Sequence, residues 1–183
     1  VKLRLVVVML FTSPLFLFAF LPVFFLAYYM VQDLRARNLT ALAGSVFFFA
    51  WGEPVFIFAL FLGTFIDYYA SLVIAPDSKY SAFTKRIVLK CAIVLNIVLL
   101  VASKYTDFIV VEVFNRIGAI INIQILPPHI PLLLGISFIT FHRISYLVDS
   151  YKGRTIPPRG FFDCALYIFL FPQLIAGPII RYH

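Results

Sequence analysis

Long apolar blocks separated by short polar or proline-containing breaks make up this chain. The first block runs from Leu5 to Gln32, 28 positions without a charged residue. About 20 apolar residues cross the hydrocarbon layer at 1.5 Å per residue, so this block predicts a membrane-spanning helix. Lys2 and Arg4 ahead of it resemble the start of a secretory signal. However, the apolar run is too long for a signal and no small-x-small cleavage site follows, so a retained span is predicted. Pro14 and Pro22 inside it predict a kink or an interfacial first turn, which membrane helices tolerate when neighbours satisfy the freed carbonyls.

Asn38 to Pro76 is apolar but interrupted by Trp51-Gly52-Glu53-Pro54 and by Asp67. Gly and Pro around a carboxylate predict a break, giving a short helix over 38–51, re-entrant by its length, and a longer one over 54–75. Pro76 to Arg86 reads as a loop and Ile87 to Ser103 as a span, with Lys90 near its start snorkelling to the interface. Residues 108–126 are ambiguous, with Glu112 and Arg116 spaced to pair on one helix face. Pro127-Pro128-His129-Ile130-Pro131 is a stop. Leu132 to Val148 predicts a further span, closed by Asp149 and the basic loop Lys152-Gly153-Arg154, and Phe161 to Ile180 a last one. The expected fold is all-α: a polytopic transmembrane bundle of about five or six membrane helices, short or broken ones included. No internal repeat and no low-complexity linker is present.

Composition sharpens this reading. The 183 residues are 63% hydrophobic, 18% aromatic and only 13% charged, with a mean hydropathy of +1.01. No single core absorbs 22 Phe and 10 Tyr beside the aliphatics while leaving a polar shell, which excludes an ordinary water-soluble globule, a disordered tail and a disulfide-knit secreted domain. The net charge of +7 sits in short runs between apolar blocks, such as Arg35/Arg37, Lys85/Arg86 and Lys152/Arg154/Arg159. Such runs anchor helix ends; nucleic acid would require a continuous basic face, which is lacking. Because basic residues occur in nearly every loop, the sequence leaves open which face is cytoplasmic. Cys91 and Cys164 lie far apart in apolar stretches, with no metal or disulfide spacing, and read as two buried membrane cysteines.

Ionisable groups within spans are the functional suspects, because each is costly unless paired or wetted. His142, Tyr146 and Asp149 fall at i, i+4 and i+7, on one helix face with Gly135 and Phe138. A histidine between a phenol and a carboxylate has the makings of a general base with a fixed tautomer. The simpler reading, favoured because spacing alone is weak evidence, puts Tyr146 and Asp149 at headgroup level and packs His142 against another helix. Glu53, at a Gly-Pro break, either lines a cavity or marks a loop outside the bilayer. Asp163 and Arg181 bracket the last helix at the interface, and Pro172 and Pro178 would kink it. His183 has no partner in sequence. Asn38-Leu39-Thr40 fits a glycosylation sequon of little weight. No G-x-S-x-G, H-E-x-x-H, Walker loop, dinucleotide fingerprint or metal-ligand spacing occurs.

Three stretches in order carry a resemblance: Met9 to Phe18 (MLFTSPLFLF), Phe47 to Pro54 (FFFAWGEP), and Leu134 to Gly153 (LGISFITFHRISYLVDSYKG) followed by Phe171 to Tyr182 (FPQLIAGPIIRY). Together they resemble the membrane-bound O-acyltransferase family, of the alginate O-acetyltransferase type, from about Met9 to the end. The resemblance implies a bacterial inner-membrane, multi-pass protein and an acyltransferase of exported polysaccharide. No cofactor would be resident: an acetyl-CoA donor would serve on the cytoplasmic side, with a polysaccharide acceptor and a periplasmic acetyltransferase partner. It also implies that residues 1–8 are an upstream extension and that 9–183 are the N-terminal part of a longer transmembrane domain. The family's essential histidine sits in a Trp-His-Gly context, and this sequence has no Trp-His pair. His142 falls where relatives carry Gln or Glu and takes no catalytic role by resemblance, nor does His183. No catalytic residue is therefore assigned. Trp51, Glu53, His142, Tyr146, Asp149 and Arg181 are candidates for a tunnel wall or structural roles, and the chain alone is expected to be inactive. The alternative is a small helical membrane protein with a transport or scaffolding role of its own. Against a transporter, only the 142/146/149 stripe appears and no paired second half.

Overall fold

The computed structural model describes residues 13–52, 54–108, 135–155, 158 and 160–172. Among these residues there are six helices and no strands. The predicted break Pro127 to Pro131, the Glu112/Arg116 pair, Glu53, Pro178, Arg181 and His183 lie outside the described residues.

The first helix begins under local control. Ser13 Oγ accepts the Phe16 N–H at 3.2 Å, which places Pro14 at the first helical position, where its missing N–H costs nothing; of the kink and the first turn that the sequence allowed, Pro14 takes the first turn. Phe16–Phe20 then forms a π turn ahead of α1, Leu21–Met30. Pro22 stands near the start of α1; it has no N–H, and its ring crowds the carbonyl four residues back, which the wider π turn relieves.

α2 covers Leu34–Gly52, not 38–51. Asp33 Oδ2 accepts the Ala36 N–H at 3.1 Å, an N-cap that begins the helix one turn earlier and places Arg35 and Arg37 on it. α3 covers Pro54–Ile74, so the break predicted at Gly52 to Pro54 is where the two helices meet. α4 covers Ala82–Phe108, not 87–103. Ser81 Oγ caps it by accepting the Thr84 N–H at 3.2 Å, so Lys85 and Arg86 are helical rather than in a loop. α5 covers Ile136–Tyr151, later at both ends than the predicted 132–148. It ends in Gly153, whose φ of 66° closes the helix in the left-handed region glycine favours, while Arg154 N–H returns to the Asp149 carbonyl at 3.0 Å. α6 covers Phe161–Phe169, so the predicted single run to Ile180 is interrupted at Leu170.

Matching partners fix the directions. Asp67 meets Arg143, Ser71 meets Tyr146 and Pro76 abuts Gly153, so α3 and α5 run the same way. Asn96 meets Asp67 and Lys85 meets Pro76, so α4 runs against both. Phe171 N–H donates to Ser45 Oγ at 3.2 Å, while the Phe169 ring packs on Phe61 at 4.9 Å. The end of α6 and the residues just after it thereby tie α2 to α3.

Two segments, Ile57–Ile74 in α3 and Ala82–Tyr105 in α4, are long and apolar enough to cross a membrane. Large apolar side chains face outward, including Phe18 (81% exposed) and Phe58 (76%), an exterior suited to apolar surroundings. Cys164 is buried but Cys91 is exposed on α4, which corrects the reading of two buried cysteines.

Candidate functional site

The most concentrated polar chemistry lies where α3, α4 and α5 meet. Asp67 sits in the middle of apolar α3 with no exposed surface. Arg143 Nε donates to its Oδ2 at 2.6 Å, and Asn96 Nδ2 donates to Oδ1 at 2.9 Å and Oδ2 at 3.2 Å. The same Asn96 amide also donates to the Ala92 carbonyl of its own helix at 2.9 Å. A buried charge is tolerable only when paired and hydrogen-bonded, and here one carboxylate collects donors from two other helices. With both oxygens occupied and no exposure, Asp67 is a clasp rather than a proton acceptor for a substrate.

Gly63, one helical turn before Asp67, makes room for the arginine. A Cβ there would stand 2.7 Å from Nη1 and 2.8 Å from Cζ of Arg143. Among the described residues, Arg143 Nη2, Asn96 Oδ1 and Thr64 Oγ1 are buried without a hydrogen-bond partner. A cavity of about 30 Å³, lined by Arg143, Thr140, Ser103 and apolar neighbours, adjoins the arginine. That is space for a single water or two, and too little for an acetyl group.

A second polar group lies one to two turns along the same helices. Tyr146, 1% exposed, donates its hydroxyl to Ser71 Oγ at 2.7 Å, with Cys164 and Ser150 also in hydrogen-bond reach. His142 is fully buried; its ring lies 4.4 Å from that of Tyr167 and 6.0 Å from that of Phe138, and it hydrogen-bonds the Tyr167 backbone. Asp149 accepts from Ser145 at 3.4 Å and pairs with Arg154 at 3.7 Å. The three stripe residues thus share a face, but each is held by different partners: α6 for His142, α3 for Tyr146 and the following turn for Asp149. Tyr146 and Asp149 are both buried within the bundle.

Trp51 is elsewhere. It is 44% exposed, stacks near Phe47 at 5.5 Å, and lines a groove of about 590 Å³ between α1 and α2 together with Phe20, Phe24 and Gly44. The groove is in the size range of ligand sites, but its lining is almost wholly apolar. It offers room for a hydrocarbon chain and no proton-transfer group beyond the Thr40 hydroxyl. No group of three His, Cys, Asp or Glu able to hold a metal ion occurs among the described residues.

The sequence singled out the neighbour of the key residue. Arg143 follows His142 and so points about 100° away around the helix, and Asp67 appeared only as an interruption of an apolar block. The available signal was that both are ionisable groups inside predicted spans.

Comparison with known proteins gives the chain close relatives. It is 38% identical over 176 residues to the probable alginate O-acetylase AlgI of Pseudomonas aeruginosa, covering 95% of this chain and 33% of that protein. It is 36% identical over 179 residues to the probable alginate O-acetylase AlgI of Pseudomonas syringae, with the same coverages. A Helicobacter pylori peptidoglycan O-acetyltransferase is 36% identical over 206 residues, covering 97% of this chain and 38% of that protein. The resemblance carried by the three segments is thus matched by relatives along nearly the whole chain. The chain spans about a third of the length of these relatives. No family model matches it, and no solved structure does.

Proposed function

We infer that a chain so related to alginate and peptidoglycan O-acetyltransferases is part of an integral membrane O-acetyltransferase of the membrane-bound O-acyltransferase family. It sits in the bacterial inner membrane, crosses it several times, and takes part in O-acetylating an exported, alginate-like polysaccharide. The single observation behind this reading is the 33–38% identity over 95% of the chain to proteins named for that activity. The apolar exterior and the two membrane-length helices agree with it.

The chemistry is acyl transfer. An acceptor hydroxyl attacks the thioester carbonyl of acetyl-CoA supplied from the cytoplasm while a neutral imidazole takes its proton and buried donors stabilise the oxyanion; the C–S bond then breaks, and coenzyme A leaves as its thiol with the proton returned from the imidazolium. A periplasmic acetyltransferase completes delivery to the polysaccharide. The residues described here serve this as scaffold: the Asp67 clasp fixes three helices against one another, and the groove beside Trp51 forms apolar wall. His142, walled in by Phe138 and Tyr167, is not placed to meet a substrate, and the sequence has no Trp-His pair. Residues 1–183 alone are therefore expected to transfer no acetyl group.

Disruption of the gene in its host tests the reading. Ester-linked acetate on the exported polysaccharide should fall to background and return on complementation with the intact gene, while unchanged acetate on every exported glycan would refute it. Acetyl transfer above background by membranes carrying residues 1–183 alone would overturn the scaffold assignment.

A further inference from the structure

The fold resolves an ambiguity that the loops in sequence order left open. Pro76 ends α3 and Gly153 ends α5, and a Cβ on Gly153 would come within 2.9 Å of the Pro76 ring. The turn after α3 and the turn after α5 therefore lie side by side, and because α4 runs against both, its first turns join them. This end of the three-helix unit holds Lys79, Lys85, Arg86, Lys152 and Arg154. Lys79, Arg86 and Lys152 are exposed, Lys85 Nζ donates to the Pro76 carbonyl at 2.8 Å, and Arg154 reaches Asp149 while remaining 52% exposed. The carboxylates nearby are Asp77, Asp149 and Asp163. At the opposite end, the described charged side chain on α3, α4 and α5 is Lys104.

Lysine and arginine in short loops bias membrane orientation toward the cytoplasm, while carboxylates contribute little. Both turns here are far shorter than the limit at which that bias fades. The inner leaflet adds attraction through its anionic headgroups. From this geometry we propose that the end of the bundle bearing Pro76 and Gly153 faces the cytoplasm. Its five cations stand among the phosphates of the inner leaflet, and the Lys104 end faces the periplasm. The assignment rests on the membrane reading given above and adds its direction.

Cysteine accessibility in cells producing the protein from its intact gene tests this, with the parent protein as background for Cys91 and Cys164. Asp77→Cys marks the basic turn and Lys104→Cys the other end. In intact spheroplasts, a membrane-impermeant maleimide should label position 104 and leave position 77 unlabelled; lysis should raise labelling at 77 about tenfold. Labelling of 77 in intact spheroplasts at the rate seen after lysis would overturn the orientation. Release of the protein by alkaline carbonate would instead remove the membrane reading itself, and the orientation with it. Replacing Lys79, Lys85, Arg86 and Lys152 together by Gln in the Asp77→Cys protein should expose position 77 in a measurable fraction of intact spheroplasts. One-sided labelling unchanged by that replacement would show that these cations do not set the direction.

Discussion

The α1–α2 pair and the α3–α4–α5 unit are built from similarly oily sequence and hold together in opposite ways. In the first, rings meet rings: Phe16, Phe20, Phe24 and Phe48 surround Phe171 at centroid distances of 5.1–6.1 Å, and a groove of about 590 Å³ stays open beside them. In the second, a carboxylate, a guanidinium and an amide lock three helices around a void of about 30 Å³. Ring contacts are individually worth about 0.5–1.5 kcal/mol and tolerate several geometries. A buried ion pair tolerates only one, because either partner alone is a desolvated charge. Apolar packing thus allows space and adjustment, whereas the polar clasp fixes register.

The largest effect should follow from breaking the clasp. Asp67→Ala leaves Arg143 and Asn96 buried without their acceptor and is expected to destabilise by about 3–5 kcal/mol, read as a lowered unfolding midpoint of the detergent-purified protein. The double replacement Asp67→Leu with Arg143→Met should recover most of that loss, since no charge is then left unpaired. If the double variant is as unstable as the single one, the clasp is not an ion pair whose halves depend on each other.

Gly63→Ala comes next. Its methyl must displace a guanidinium that the Asp67 bond holds in place, at a cost of about 1–3 kcal/mol typical of overpacking, and a wild-type midpoint would refute the tight fit. Tyr146→Phe removes one hydroxyl bond to Ser71 and should cost about 0.6–1.7 kcal/mol, the scale of side-chain hydrogen bonds between membrane helices. The smallest change is expected at Gly44. A Cβ there meets the Phe24 ring at 2.5 Å, but that ring borders the open groove and can turn into it, so Gly44→Ala should cost no more than about 1 kcal/mol, the order of one off-rotamer side chain. Equal losses for Gly63→Ala and Gly44→Ala would erase the contrast between the two regions.

Much of this architecture was legible in the sequence. The break at Gly52 and Pro54 and the start after Gly160 follow from glycine and proline chemistry, and the all-helical class from block length. The helix starts at Leu34 and Ala82 were hidden, because their caps, Asp33 and Ser81, lie in polar stretches that resemble loops when only hydropathy is followed. The clasp was hidden for a different reason. Asp67 and Arg143 are 76 positions apart, and periodicity relates residues on one helix, not on two. The shared location of the two basic turns needed the relative direction of α3 and α5, which no local pattern encodes.

The unequal reach of α3 and α4 has a mechanical consequence. α3 has 21 residues and α4 has 27, or about 32 Å and about 40 Å at 1.5 Å per residue. If the two helices cross a bilayer as proposed, α3 would match a hydrocarbon layer of about 30 Å nearly end to end, whereas α4 would overshoot it and have to lean or reach into the headgroups. Because Asp67 and Asn96 join the two helices near their middles, a lean of α4 would pivot at that point, and bilayer thickness would then act on the clasp.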